Sequence, residues 1–176
     1  MKSTLICASA LVLAVNVATA QFTSPPAQTS ITVGGKKLSI EYSAPSVHGR
    51  KIFGPGGRIS QDGTYPVWRA GANDATAFHT DADLDVGGLA VPKGDYTIFA
   101  LVSDPEQWQL IINKQTGQWG LTYNQSRDLG RVKMTMSKPP SVVEMLKYTL
   151  ADLGGGRVRL QLEWERHIAS VIMTVK

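Results

Sequence analysis

The stretch Val158-Arg159-Leu160-Gln161-Leu162-Glu163-Trp164 alternates large apolar side chains with polar or charged ones. Successive side chains of a strand point to opposite faces, so this period of two predicts a half-buried β-strand. The same pattern recurs on either side of it. Downstream, Ala169, Val171, Met173 and Val175 close the chain. Upstream, Leu146, Tyr148 and Leu150 alternate with Lys147 and Thr149, and Val132, Met134 and Met136 with Lys133 and Thr135. Leu38, Ile40 and Tyr42 alternate with Ser39 and Glu41. Tyr96, Ile98 and Ala100 alternate with Thr97, Phe99 and Leu101, which predicts a strand buried on both faces, and Trp108–Ile112 reads as a short apolar strand.

Turn residues separate these runs: Gly34-Gly35, Gly87-Gly88, Pro92-Lys93-Gly94, Asp104-Pro105 and Gly154-Gly155-Gly156. Gly35 and Gly88 are expected hairpin turns. No segment carries a 3.6-residue apolar repeat. Ser141–Leu150 comes nearest, but Val142-Val143 and Tyr148-Thr149 favour a strand. The expected fold is therefore all-β: a single-domain antiparallel β-sandwich, or a partly closed barrel.

The N-terminus has a different character. Lys2 is followed by a mostly apolar Leu5–Val17, and Ala18-Thr19-Ala20 puts small residues where a signal peptidase reads. That layout predicts a signal peptide at 1–20, cleavage before Gln21 and one β domain over 21–176. The apolar run is short for a bilayer span, so no membrane span is expected after cleavage. Export implies a periplasmic or secreted protein. Cleavage also removes Cys7, the only cysteine. The cleaved chain then has no disulfide, thiol nucleophile or thiolate metal site, and core burial alone must hold the fold.

The formal charge of the whole chain is +4 and its pI about 9.3. The basic residues are dispersed. Lys36-Lys37 and His48-Gly49-Arg50-Lys51 are the densest spots, so no concentrated face for nucleic acid is expected. Neither a cofactor nor a metal is expected. His48, His79 and His167 share no ligand spacing. Asp81, Asp83 and Asp85 alternate like the start of a calcium loop but lack its glycine and distal glutamate, and read as one solvated strand face.

Two irregular stretches interrupt the strands: residues 43–66, dense in glycine and proline, and residues 113–131, with Gly117, Trp119, Gly120 and Tyr123. Long irregular loops in a compact domain are frequent carriers of function. The first runs directly into the densest polar cluster, Trp68-Arg69-Ala70-Gly71-Ala72-Asn73-Asp74-Ala75-Thr76. Arg69 has the planar fork that clamps a carboxylate or phosphate, while Asn73 and Asp74 can orient a polar ligand. The same residues also suit a turn, with Arg69 paired to Asp74 or Glu144. His48 is a general-base candidate, but no Gly-x-Ser-x-Gly elbow accompanies it. Glu144, Glu163 and Glu165 are candidate glycosidase carboxylates only if strands bring two together; the default is a solvated face. Trp108 and Trp164 read as core, and Trp119 and Tyr123 as surface aromatics.

The chain resembles an exported bacterial family known as domain of unknown function 2911. The likeness rests on Ser24-Pro25, Ile40-Glu41-Tyr42-Ser43-Ala44-Pro45, Gly49-Arg50, Ile52-Phe53-Gly54 and above all Val67–Thr76. It continues in Pro92–Tyr96, Trp108, Ile111-Ile112-Asn113, Tyr123, Asp128, Arg131-Val132 and Glu163-Trp164-Glu165. The family brings no established activity. The resemblance implies export, a β-rich fold and a shared signature of Arg50, Arg69, Asn73, Asp74 and Thr76.

Residues and resemblance together favour an exported, envelope-associated domain that binds a small anionic or glycan ligand without catalysis. The expected site is a polar pocket of Arg50, Arg69, Asn73, Asp74, Thr76 and His48, walled by Trp119 or Tyr123. A hydrolase using His48 or Asp74/Glu144, and a structural or partner-binding β domain, are the alternatives.

Overall fold

A computed structural model describes residues 24–176, so the expected signal peptide at 1–20 lies outside the described residues. The alternation at 158–164 belongs to β12 (Arg157–Glu165), which pairs with β11 (Val143–Asp152) and β13 (His167–Val175). Its Val158, Leu160, Leu162 and Trp164 are all buried. The sheet continues from β13 to β5 (Leu84–Val86) and β6 (Leu89–Val91), and β10 (Thr135–Ser137) also pairs with β13. The facing sheet runs β1 (Pro26–Val33), β2 (Lys36–Ser43), β4 (Ala72–Thr80), β7 (Gly94–Leu101), β8 (Gln109–Asn113) and β9 (Asp128–Lys133). Short β3 (Val67–Trp68) pairs with β7. Every ladder is antiparallel, and the two sheets pack as a sandwich rather than a closed barrel.

The turn chemistry has direct physical content. Gly34 and Gly35 sit at φ 57° and 76°, both in the left-handed region that a tight two-residue hairpin requires. One expectation changes. The alternation through 132–136 is not one strand: the chain crosses from one sheet to the other at Met134, whose N–H donates to the Trp108 carbonyl at 2.9 Å. The period of two survives the crossing because both sheets face the same core.

That core is aromatic at its centre. Phe53 lies 5.3 Å from Trp68, 4.6 Å from Trp108 and 5.7 Å from Trp164, centroid to centroid. Phe53 comes from the irregular 43–66 segment, which also buries Ile52 and Ile59. This loop plugs the sandwich, and burial of its side chains offsets the entropy of ordering it. It is pinned to the edge of β11: Val47 N–H donates to the Glu144 carbonyl, and Leu146 N–H to the Pro45 carbonyl. Covering that edge also removes a template for strand pairing.

The three glutamates are structural in their contacts. Glu144 Oε1 accepts from His48 N–H at 2.8 Å and Glu165 Oε1 from Ile52 N–H at 3.0 Å, while Glu163 lies 3.6 Å from Lys147 Nζ. The acidic series at 81–85 does not form one strand face, because β5 begins only at Leu84. Its members accept backbone amides instead: Asp81 from Lys37, Asp83 from Lys93 and Asp85 from Gly88. Among the described residues no helix is long and apolar enough to cross a membrane.

Candidate functional site

The Trp68–Asn73 turn is locked by its own polar groups. The Trp68 indole N–H donates to the Gly71 carbonyl at 3.1 Å. The Ala70 carbonyl accepts from Thr76 Oγ1 at 3.1 Å and from the Tyr148 hydroxyl at 2.8 Å. Tyr148 is deeply buried, and this burial pushes its pKa well up, so the phenol stays a donor. Ala70 and Asn73 are held at φ 52° and 57°, where non-glycine residues are uncommon. Such strain persists only where surrounding contacts over-determine it.

Arg69 is the centre of this arrangement and is only 8% exposed. Its Nη2 lies 3.2 Å from Asp62 Oδ2, and Nη1 donates to the Asn73 carbonyl at 3.1 Å. The buried Nε–H has no hydrogen-bond partner. The other Asp62 oxygen meets Arg58 Nη1 at 2.9 Å. Sequence reasoning offered Asp74 or Glu144 as the partner of Arg69; the partner is Asp62. This carboxylate sits just after the single 3-10 turn of the plugging loop, Ile59–Gln61, whose Ile59 is buried in the core.

The 113–131 segment completes the site by strand-like pairing. Ala75 N–H donates to the Gln118 carbonyl and Gly120 N–H to the Asn73 carbonyl, with Asp74 and Trp119 bridged between them. This brings Trp119 beside Arg69, whose guanidinium carbon lies 5.6 Å from the ring centroid, a cation–π geometry. Gly120 is required by contact: a Cβ there would fall on Arg69 Cδ and lie 2.5 Å from the Asn73 carbonyl oxygen.

These elements enclose a cleft of about 340 Å³. Three arginines line it, Arg50, Arg58 and Arg69, against one carboxylate, Asp62. Arg50 is braced by its own loop, donating from Nε to the Val47 carbonyl at 3.0 Å and from Nη2 to the Ser46 carbonyl at 2.6 Å. His48 stands at the same rim with Nδ1 4.0 Å from Glu144 Oε1. Trp119, 50% exposed, and Leu121 supply an apolar wall, and Trp164 reaches the cleft from the core.

Of the residues singled out in sequence, Arg50, Arg69, Asn73, His48 and Trp119 therefore meet in one concavity. Three do not line it. Asp74 is exposed on β4 and outside the lining. Thr76 is fully buried, with its hydroxyl committed to Ala70. Tyr123 lies elsewhere, packed on Phe99 at 5.0 Å, its hydroxyl donating to Asp128 Oδ2 at 2.6 Å and accepting from Arg131 at 2.8 Å. Burial and the Asp128 carboxylate push its pKa up to about 12. Arg58, Asp62 and Leu121 were missed: Gln61-Asp62-Gly63-Thr64 reads only as turn chemistry, and nothing local marks Leu121 as exposed. Among the described residues, no group of three or more His, Cys, Asp or Glu is arranged to hold a metal ion.

The fold and cleft define an all-β sandwich domain with a cation-rich pocket at one end of a loop-plugged core. The chain matches the family model described as "Protein of unknown function (DUF2911)" over residues 24–173, and it belongs to that family. No curated protein and no solved structure matches it.

Proposed function

We propose that this chain is an exported, envelope-associated protein that binds a small anionic or glycan ligand in the arginine-lined cleft, without catalysis. The observation that carries the reading is the charge imbalance there: three guanidinium groups and one carboxylate around one concavity. A surplus of fixed cationic donors in a partly desolvated pocket favours an anion, and guanidinium forks suit carboxylate or phosphate oxygens. Arg69 is held by Asp62 and the Asn73 carbonyl, so its role is to shape the floor. Arg50 and Arg58, which line the cleft and are far more exposed, carry the recognition. The reading of export rests on Lys2, the apolar Leu5–Val17 and Ala18-Thr19-Ala20.

The test is a thermal-shift titration with phosphate, sulfate, carboxylates and neutral sugars on the wild type and on the Arg50→Gln/Arg58→Gln double variant. A saturable rise in Tm for the wild type that is lost in the double variant supports the proposal. Equal shifts in both proteins, or none, overturn it.

A further inference from the structure

The cleft is not uniformly polar, and its apolar part is fixed in place. Trp119 is half exposed although its neighbours Gln118 and Gly120 are buried. The bridge to Asp74 and the pairing of Gln118 and Gly120 with β4 set its backbone. The Arg69 guanidinium, itself immobilised by Asp62, lies 5.6 Å from the ring centroid and orients the ring. A large apolar side chain held open to solvent beside a cationic rim is a preformed platform, and preorganisation lowers the entropy a ligand must give up on binding.

Alongside apolar Pro45, Ala72 and Leu121, three polar residues, Ser24, Ser46 and Asn73, line the cleft. An aromatic acid or a fatty acid would strip water from these groups and return no hydrogen bonds, which is unfavourable. A ligand with its own hydroxyl groups replaces those bonds. The volume, about 340 Å³, lies at the small end of ligand pockets and fits a compact ring rather than a polymer chain running through.

Resting on the reading of the cleft as an anion- or glycan-binding site, we infer that the ligand is an acidic sugar. Its carboxylate or phosphate meets Arg50 and Arg58, its apolar ring face lies on Trp119, and its hydroxyls meet the polar wall. Charge and ring are recognised together, so a bare anion or a neutral sugar binds more weakly than the two combined.

Isothermal titration calorimetry on the full β domain tests this with six probes: D-glucuronate, D-glucose 6-phosphate, D-glucose, acetate, inorganic phosphate and benzoate. The expected result is that glucuronate binds at least about tenfold more tightly than acetate, or glucose 6-phosphate more tightly than phosphate by the same factor. Whichever arm responds identifies the anionic group. The favoured acidic sugar also exceeds glucose and benzoate. Trp119→Ala reduces that ligand to the affinity of its bare anion, and Trp119→Phe restores most of the difference. Because Trp119 is half exposed, neither substitution removes core packing. Acidic sugars binding no better than their bare anions, or benzoate binding best, overturn the inference while leaving anion binding intact. If none of the six probes binds, this inference and the proposed function both fall.

Discussion

Asp62 and Arg69, seven residues apart in sequence, meet in the floor of the cleft with 3.2 Å between Oδ2 and Nη2. The Asp62 side chain is 5% exposed and that of Arg69 10%, so this pair is desolvated. Removing one member of a buried pair leaves the other charge uncompensated, which costs about 3–5 kcal/mol. Asp62→Ala should therefore lower the unfolding free energy in urea by an amount in that range, with Asp62→Asn milder because it keeps an acceptor. A loss under about 1 kcal/mol for Asp62→Ala would show that the pair does not anchor the site.

Gly120 makes the second structural prediction. A Cβ at this position meets both Arg69 and the Asn73 carbonyl, and backbone cannot move aside as a flexible side chain can. Overpacking of this kind costs about 1–3 kcal/mol. Gly120→Ala should destabilise within that range and shift the Trp119 indole resonance. Gly63→Ala is the control, because nothing lies within 4 Å of its added methyl. It should stay within about 0.5 kcal/mol of wild type. Equal effects at the two glycines would contradict the close packing of Gly120 on Arg69.

Two histidines give pH dependences of opposite sign. His79 bonds Asp95 through Nδ1 at 2.7 Å and Asp81 through Nε2 at 3.0 Å, and these carboxylates raise its pKa above the ordinary value. Its contribution is fully present below the unfolded value, about 6.5, and fades as pH rises through the folded one. His167 is stacked on Trp108 at 5.3 Å, and burial lowers its pKa. Its neutral ring contributes above about 6.5, and that contribution is lost as pH falls through the depressed folded value. Urea stability of His79→Gln relative to wild type should thus be lowest at acidic pH and converge with it at higher pH. NMR titration of the two rings should place His79 above and His167 below about 6.5. The reverse order would contradict both environments.

The proposed export makes a chemical prediction. Protein recovered from outside the cytoplasm should begin at Gln21, as read by intact mass and N-terminal sequencing. Recovery of chains that retain Met1 from the same fraction would contradict cleavage.

The sandwich was legible because its strands carry the core on one face. Val158 to Trp164 and Leu146 to Leu150 state their burial by alternation, and Gly34-Gly35 states its turn. The irregular loop was legible as a loop but not as a plug. Ile52, Phe53 and Ile59 have no period, and their burial depends on the tryptophans of other strands. Site membership followed the same division. Arg69 and Asn73 stood out as one local cluster, whereas Asp62 looked like part of a turn and Trp119 reaches Arg69 only through pairing of 118–120 with β4. Thr76 and Tyr123 share the polar chemistry of a site but use it on Ala70 and Asp128, a distinction that lies in side-chain direction and not in residue type.

The most direct test of the central claim is a ¹⁵N–¹H correlation titration of the folded domain with the acidic sugar that calorimetry favours, D-glucuronate or glucose 6-phosphate, and with its bare anion. The account predicts saturable shifts at residues 46–50, at Arg58 and the 69–73 turn, and at the indole N–H of Trp119. Tyr123 and its neighbours 124–131 should stay unmoved. Shifts that fail to saturate, or that centre on any other face of the sandwich, would contradict it.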